Sequence, residues 1–409
     1  MTDTRAEFAR GWRVVAGSLL GIAIGVSSLF FYSLGIFIKP IAAEFSWGRG
    51  AASLGALVGT ACAALVAIPV GRLVDRIGSV PVAMGSLALL ALSFLALGTW
   101  TAGLTSFLVL TALLALLTTG STPLPYSRLV VAAFHQARGL ALGVTLAGTG
   151  VGALLTPVFL TPLVARHGWR AGYFALAVVV IVLSPLVWWL IRSVPEPAVS
   201  RTDSLPFGQF ARSRAFRTLA LIFFLASVAV LGTLVQFVPM LTDWGLSAGR
   251  AGATAGLVGV AAIAGRLIVG MLLDRMPPLA VTGGMFLVVA GGLAMLALVG
   301  PAFAIAGGAV LGLAVGAEVD LLAFLVGRYF APALYGQTYG AIYAVFLVGG
   351  ALGPAISGYL QQSTGDYRAS LFGASFLLIF AAGVSSFFAS TPSSAAGDEK
   401  TVHADNDHI

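Results

Sequence analysis

Cysteine is all but missing. The 409 residues contain one, Cys62, so a disulfide framework and a cysteine-based metal cluster are both excluded. Histidine is nearly as scarce: His135, His167, His403 and His408 fall in expected loops or in the tail, leaving no His relay inside an apolar span. Lysine is limited to Lys39 and Lys400, so arginine carries nearly all the positive charge, a bias that fits a bacterial source. Charge of either sign is thin at 9%, where a soluble globular chain carries about 25%. So little charge cannot coat a water-facing surface, which argues against a soluble enzyme. No GxxxxGK[ST] loop occurs, so ATP-driven transport within this chain is excluded. No Ser/His/Asp constellation or metal-ligand cluster falls in the apolar runs, so neither an intramembrane hydrolase nor a metal or cofactor is expected.

What the chain does have is 59% apolar residues, which excludes disorder, and 51 glycines without a G-X-Y period, which excludes collagen. The remaining class is an all-α polytopic membrane protein. A hydrocarbon core about 30 Å thick needs about 20 apolar residues per helix. Twelve runs meet that length: 12–38, 50–73, 80–100, 104–127, 139–165, 170–191, 216–241, 250–273, 279–299, 301–327, 336–360 and 369–389. The first is too long for a signal-peptide core and reads as a retained helix.

Basic residues set the orientation. With the N-terminus inside, the inner segments hold Arg5, Arg10, Arg13, Arg72, Arg76, Arg128, Arg138, Arg192, Arg201, Arg212, Arg214, Arg217, Arg275, Arg328 and Lys400. The outer segments hold only Lys39, Arg49, Arg166, Arg170, Arg250 and Arg368. Both termini are therefore expected in the cytoplasm, and the net charge of +7 reports topology rather than nucleic-acid binding. A charged, Pro- and Ser-containing stretch at 192–215 divides two six-helix bundles, 1–191 and 216–389, and 390–409 reads as a disordered cytoplasmic tail.

The halves repeat. Gly71-Arg72-Leu73-Val74-Asp75-Arg76 recurs 199 residues later as Gly270-Met271-Leu272-Leu273-Asp274-Arg275. Arg49 matches Arg250, Pro157 matches Pro354, and Arg170 matches Arg368 at nearly the same offset. Six helices per half make the repeat parallel, and such folds place the substrate between the halves near the midplane. Nothing in the pattern demands an oligomer.

Only Arg266, Glu318 and Asp320 lie well inside apolar runs. Each costs roughly 2.5–3.5 kcal/mol near a helix centre, so each must be paired or face water. Arg266 precedes Asp274 by eight residues and Asp320 precedes Arg328 by eight, so the two sit at similar depth, about 12 Å from the inner end. Glu318 and Asp320 are two apart and cannot both face Arg266. Asp320 continues the stripe Gly308, Gly312 and Gly316, which favours it as the partner of Arg266 and leaves Glu318 as the proton-binding candidate. The competing reading is one fixed polar cluster holding two helices together. A planar guanidinium suits a carboxylate ligand.

In the first half, Pro123 and Pro125 break helix 4 beside Tyr126, a break tolerated only next to protein or a water-lined cavity. The repeat offset turns Tyr126 toward the centre as a lining candidate, with simple packing of the kink as the alternative. Arg128 is near enough to the inner end to snorkel. Tyr32, Tyr339 and Tyr343 are further candidates for hydroxyl contacts, against plain packing. Asp75 with Arg76 and Asp274 with Arg275 are candidate gating groups at the inner ends. Gly148, Gly150, Gly152, Gly349, Gly350 and Gly353 read as close-packing seams.

The loop Gly71-x-x-x-Asp75-Arg76-x-Gly78 resembles the G-x-x-x-D-R-x-G signature of the major facilitator superfamily, without the usual basic pair, which is Ser79-Val80 here. A narrower resemblance is to monocarboxylate transporters and oxalate/formate antiporter-like proteins. It rests on Tyr32-Ser33-Leu34-Gly35-Ile36-Phe37-Ile38-Lys39-Pro40 with Glu44-Phe45-Ser46-Trp47, on Ala137-Arg138-Gly139-Leu140-Ala141-Leu142-Gly143, and on Arg328-Tyr329-Phe330. The resemblance implies that Arg266 is a carboxylate-binding arginine. The sequence departs from that family at Gly11-Trp12, where a longer signature is reduced, at Ala262 in place of an acid, and at Tyr32 in place of a basic residue. The implied function is a proton-coupled secondary transporter of a small organic anion, a monocarboxylate, in a bacterial inner membrane. Proton-driven efflux of amphipathic drugs or metabolites is the alternative.

Overall fold

The computed structural model describes residues 2–47, 49–192 and 211–390, so 193–210 of the divider and 391–409 of the tail lie outside the described residues. Every regular element among those residues is helical. They are α1 (Thr2–Ala23), α2 (Val26–Phe45), α3 (Arg49–Ile77), α4 (Ser79–Trp100), α5 (Leu104–Thr118), α6 (Pro123–Ala133), α7 (Arg138–Leu146) and α8 (Gly148–Ile191) in the first half of the chain. The second half has α9 (Arg214–Asp243), α10 (Ala248–Leu273), α11 (Pro278–Val299), α12 (Ala304–Tyr329), α13 (Tyr335–Thr364) and α14 (Arg368–Ser390). Lipid offers no partners for backbone N–H and C=O groups, so an apolar chain satisfies them within helices. Around the bundle Leu65, Phe159, Val260, Leu298 and Phe376 are exposed, as a hydrocarbon solvent permits.

Among the described residues ten stretches are long and apolar enough to cross a membrane, and two of them, Arg138–Ile191 and Pro278–Tyr329, run to 54 and 52 residues. Each of those two turns back on a glycine of positive φ, Gly168 at 82° and Gly300 at 71°, a region L side chains avoid. Ten stretches stand against the twelve runs expected from the sequence.

Two expected helices are broken, and the breaks lie together. The run expected over 12–38 stops at Ala23 and restarts at Val26, while α5 ends in a 3-10 turn, Thr119–Ser121, before Pro123 opens α6. Val26 N–H donates to the Ser121 hydroxyl at 3.1 Å, so one break supplies the acceptor that the other lacks. The prolines announced the second break; nothing in the hydropathy of 12–38 announced the first.

Both described ends of the chain sit at one end of the bundle: Glu7 reaches the backbone of Ala137, Arg138 reaches Gly327, and Tyr329 packs on Phe388. At this end the halves close on each other through glycines. Gly71 lies against Gly336, Gly340 against Ala67, and Gly139 against Gly270, each close enough that a Cβ would strike the opposing carbonyl. Gly340→Val is therefore expected to hold the halves apart here. In a Cys62→Ser background, a Gln337→Cys reporter should label with a thiol reagent several-fold faster in the valine variant. Equal labelling would mean that the seam is not close-packed. Gly148 and Gly152 pack α8 on Leu19 and Ala23 inside the first half, Gly349 and Gly353 pack α13 on Phe224 and Val228 inside the second, and Gly150 faces Ile263 of α10 across the halves.

Candidate functional site

The crossing of α10 and α12 begins with small residues. On α12, Gly312 lies against Val258 and Ala261 and Gly316 against Ala262 of α10, so the two backbones nearly touch. One turn further the next residues on these faces are Asp320 and Arg266, which form a buried ion pair, Nη1 to Oδ1 at 2.7 Å. Contact is through one oxygen only: Asp320 Oδ2 is buried without a hydrogen-bond partner. Tyr339, fully buried on α13, lies within electrostatic reach of both charges, and its hydroxyl also has no partner.

From Tyr339 the aromatic rings continue along α13 at helical spacing. Tyr335–Tyr339 and Tyr339–Tyr343 are each 5.8 Å apart, and Tyr343 stacks on Phe346 at 5.9 Å. Tyr335 donates to the Ser127 hydroxyl across the halves at 3.0 Å. Tyr343 pairs with Ser27 of α2 and neighbours Tyr32, whose ring is exposed. Of the residues singled out in the sequence, the structure thus gathers Arg266, Asp320, Tyr339, Tyr343 and Tyr32 along one run between the halves.

Two others lie elsewhere. Glu318 continues the stripe Gly307, Val310 and Ala314, whose first two members pack on Leu296 and Gly292 of α11, so it turns away from Arg266. It is buried, with Oε1 unpartnered. Tyr126 is packed against Gly21 of α1, inside the first half, and its hydroxyl is unpartnered too.

At the closed end each half holds the other by a carboxylate on a helix N-terminus. Asp75 accepts from Gly336 N–H at 2.9 Å and Gln337 N–H at 2.7 Å, at the start of α13. Asp274 accepts from Gly139 N–H at 2.6 Å and Leu140 N–H at 2.9 Å, at the start of α7. Free N–H groups and the helix dipole make such an end a carboxylate site. Burial pushes the Asp274 carboxyl above the ordinary aspartate range, against the opposing pull of Leu140 and Gly139. Arg76 and Arg275, paired with these acids in the sequence, point to solvent instead.

Arg128 does not snorkel. It is 4% exposed, donates to Val74 O at 2.6 Å and lies 3.8 Å from Asp75, because the buried carboxylate is a nearer partner than solvent. Sequence reasoning also missed Glu7, whose carboxylate takes the N–H groups of His135 at 2.6 Å and Ala137 at 2.9 Å before α7. At the opposite end Glu44 accepts from the Trp169 indole at 2.6 Å and Arg170 at 2.7 Å, bonds that hold its carboxyl below the ordinary range. Asp243 and Tyr367 repeat that cap in the second half at 2.7 Å.

The Major Facilitator Superfamily profile matches residues 20–354, most of the chain. The chain belongs to the Major Facilitator Superfamily. This superfamily member is thus an integral membrane protein of a transporter family. It is 30% identical over 259 residues to monocarboxylate transporter 11 of Homo sapiens, covering 58% of this chain and 53% of that protein. The match therefore spans about half the length of that relative. It is 26% identical over 374 residues to a gallate transporter of Pseudomonas putida, covering 77% of this chain and 80% of that one. In fold it is similar to the fucose:proton symporter of E. coli, with a TM-score of 0.75 at 16% identity over 93% of this chain and 98% of that one.

Proposed function

We propose that this superfamily member moves a small organic anion, a monocarboxylate, across a bacterial inner membrane with proton coupling. The observation that carries the reading is the single-point pair of Arg266 and Asp320. Arginine has a planar fork, Asp320 occupies one Nη1, and Asp320 Oδ2 and the Tyr339 hydroxyl beside it stay unpartnered. A substrate carboxylate can take the arginine while a proton takes Asp320, so that the site is near neutral both loaded and empty. Asp320 is the first proton-carrying candidate because it touches Arg266; Glu318 is the second.

The cycle we propose counts the two long stretches as two crossings each, which makes twelve, with both termini in the cytoplasm. Two six-helix bundles, 1–191 and 216–389, then rock about the substrate, and Asp75 and Asp274 latch the cytoplasmic end. The relatives named as carriers of monocarboxylates and gallate support the substrate class.

Uptake of labelled lactate, pyruvate and benzoate into proteoliposomes, with and without a pH gradient, tests this. Accumulation driven by an inward proton gradient is expected. No uptake of any acid, with proton-driven dye efflux in its place, overturns the reading. Tyr339→Phe offers a second check: removing a buried hydroxyl that has no partner should cost no thermal stability. Carboxylate KM should nevertheless rise about tenfold if that hydroxyl donates to the bound anion.

A further inference from the structure

At the latched end a groove of about 740 Å³ opens between the start of α1, the end of α6 and the end of α8, lined by Glu7, Arg10, Trp12, Arg13, His135 and Leu190 among others. Its charge is one-sided. The Glu7 carboxylate is taken up by the backbone of 135–137. Arg10 bonds only to Ala6 O of its own helix among the described residues. Arg13 has no carboxylate partner there, nor does Arg192 at the end of α8; both lie over indole rings. The Arg13 guanidinium sits 5.8 Å from the Trp12 ring and 5.1 Å from Trp189, bridging α1 and α8, and Arg192 lies 4.7 Å over Trp188.

These rings are about half exposed, Trp12 at 50%, Trp188 at 45% and Trp189 at 44%. They fall within the first and last two turns of the apolar stretches Ala6–Phe30 and Arg138–Ile191. That is the depth at which tryptophan meets lipid headgroups. The repeat carries a reduced copy: Arg214 at the start of α9 lies 5.4 Å from the Phe387 ring and 6.0 Å from Phe388 at the end of α14.

We propose that the α1–α6–α8 groove binds the headgroup of an anionic glycerophospholipid. The phosphodiester neutralises Arg10 and Arg13, Arg192 at the end of α8 adds to the positive field, the Trp12 and Trp189 indoles flank the glycerol, and the acyl chains pass down the outer side of α8. A headgroup seated here adjoins Glu7 and, through residues 135–137, the start of α7 that receives Asp274. Lipid occupancy therefore adjoins one of the two latches.

Native mass spectrometry of the purified chain from mixed phosphatidylglycerol/phosphatidylcholine micelles tests this without knowledge of the transported substrate. Wild type is expected to retain phosphatidylglycerol over phosphatidylcholine. Each arginine near an anionic surface gives about a fivefold preference, so Arg13→Gln with Arg192→Gln should erase most of it. Arg13→Lys with Arg192→Lys should restore it, since charge returns without the flat stacking surface. Arg10→Gln tests the same groove without disturbing the ring packing, should the double variant fail to fold, and should lose about fivefold. Unchanged retention in Arg10→Gln and in a folded double glutamine variant overturns the proposal. So does displacement of the lipid by free inorganic phosphate, which would make this a site for a soluble anion.

Discussion

Arg266→Lys is expected to fold and to lose about ten- to a hundredfold in carboxylate kcat/KM. Lysine keeps the charge, so Asp320 stays paired and the α10–α12 crossing keeps its geometry. It loses the fork that lets one side chain hold Asp320 Oδ1 and a second carboxylate together. One charge-assisted hydrogen bond is worth about 1.5–3 kcal/mol, which sets the expected range. Arg266→Ala differs in kind. It leaves a carboxylate 1% exposed with no counter-charge, a change that costs about 3–5 kcal/mol when a buried pair is broken one side at a time. Arg266→Ala with Asp320→Ala should regain most of that stability and none of the transport. Thermal unfolding and proteoliposome uptake, measured on the same preparations, separate the two effects. Full transport by the lysine variant would reduce the pair to a structural clasp.

The second large effect belongs to the latches. Asp75→Asn and Asp274→Asn each replace a carboxylate that accepts two backbone N–H groups with an amide that accepts through one oxygen only. Losing a charge-assisted bond at a helix N-terminus costs about 1.5–3 kcal/mol per latch. That is enough to move a two-state ratio about ten- to a hundredfold. The latches lie at the closed end and the ion pair elsewhere, so turnover should change far more than substrate affinity. The single cysteine makes this readable: with Cys62→Ser, a Val131→Cys reporter facing Gly327 should label about tenfold faster in either asparagine variant. Weakened binding at an unchanged rate would contradict the latch role.

Both sites show what one-dimensional reasoning reaches. Helical spacing places Gly316 and Asp320 on one face and Ala262 and Arg266 on the facing one, so the ion pair is legible before any coordinates. The same spacing separates Glu318 from Asp320, yet it does not say what Glu318 faces. Helix α11 decides that, through Leu296 and Gly292 against the Gly307 stripe. The D-R motif marked Asp75 and Asp274, while their receptors, the first N–H groups of α13 and α7, come from the opposite half and carry no side-chain signature. Arg128 was misread because depth along a helix was taken as distance from water, when a buried Asp75 lay nearer.

Scarcity of charge and the length of the apolar runs determined the class and the helices by themselves, because lipid leaves an apolar chain no other way to satisfy its backbone, and the recurring Gly71–Arg76 segment announced the internal repeat. Intramembrane charge, being costly, also marked Arg266, Glu318 and Asp320 as residues that must find partners or face water. Tertiary structure alone decided which partners those charges take. The helix ends that receive Asp75 and Asp274 come from the opposite half, while the tyrosine facing Arg266 and Asp320 comes from α13 of the same half; neither neighbour is written in the sequence around the charge.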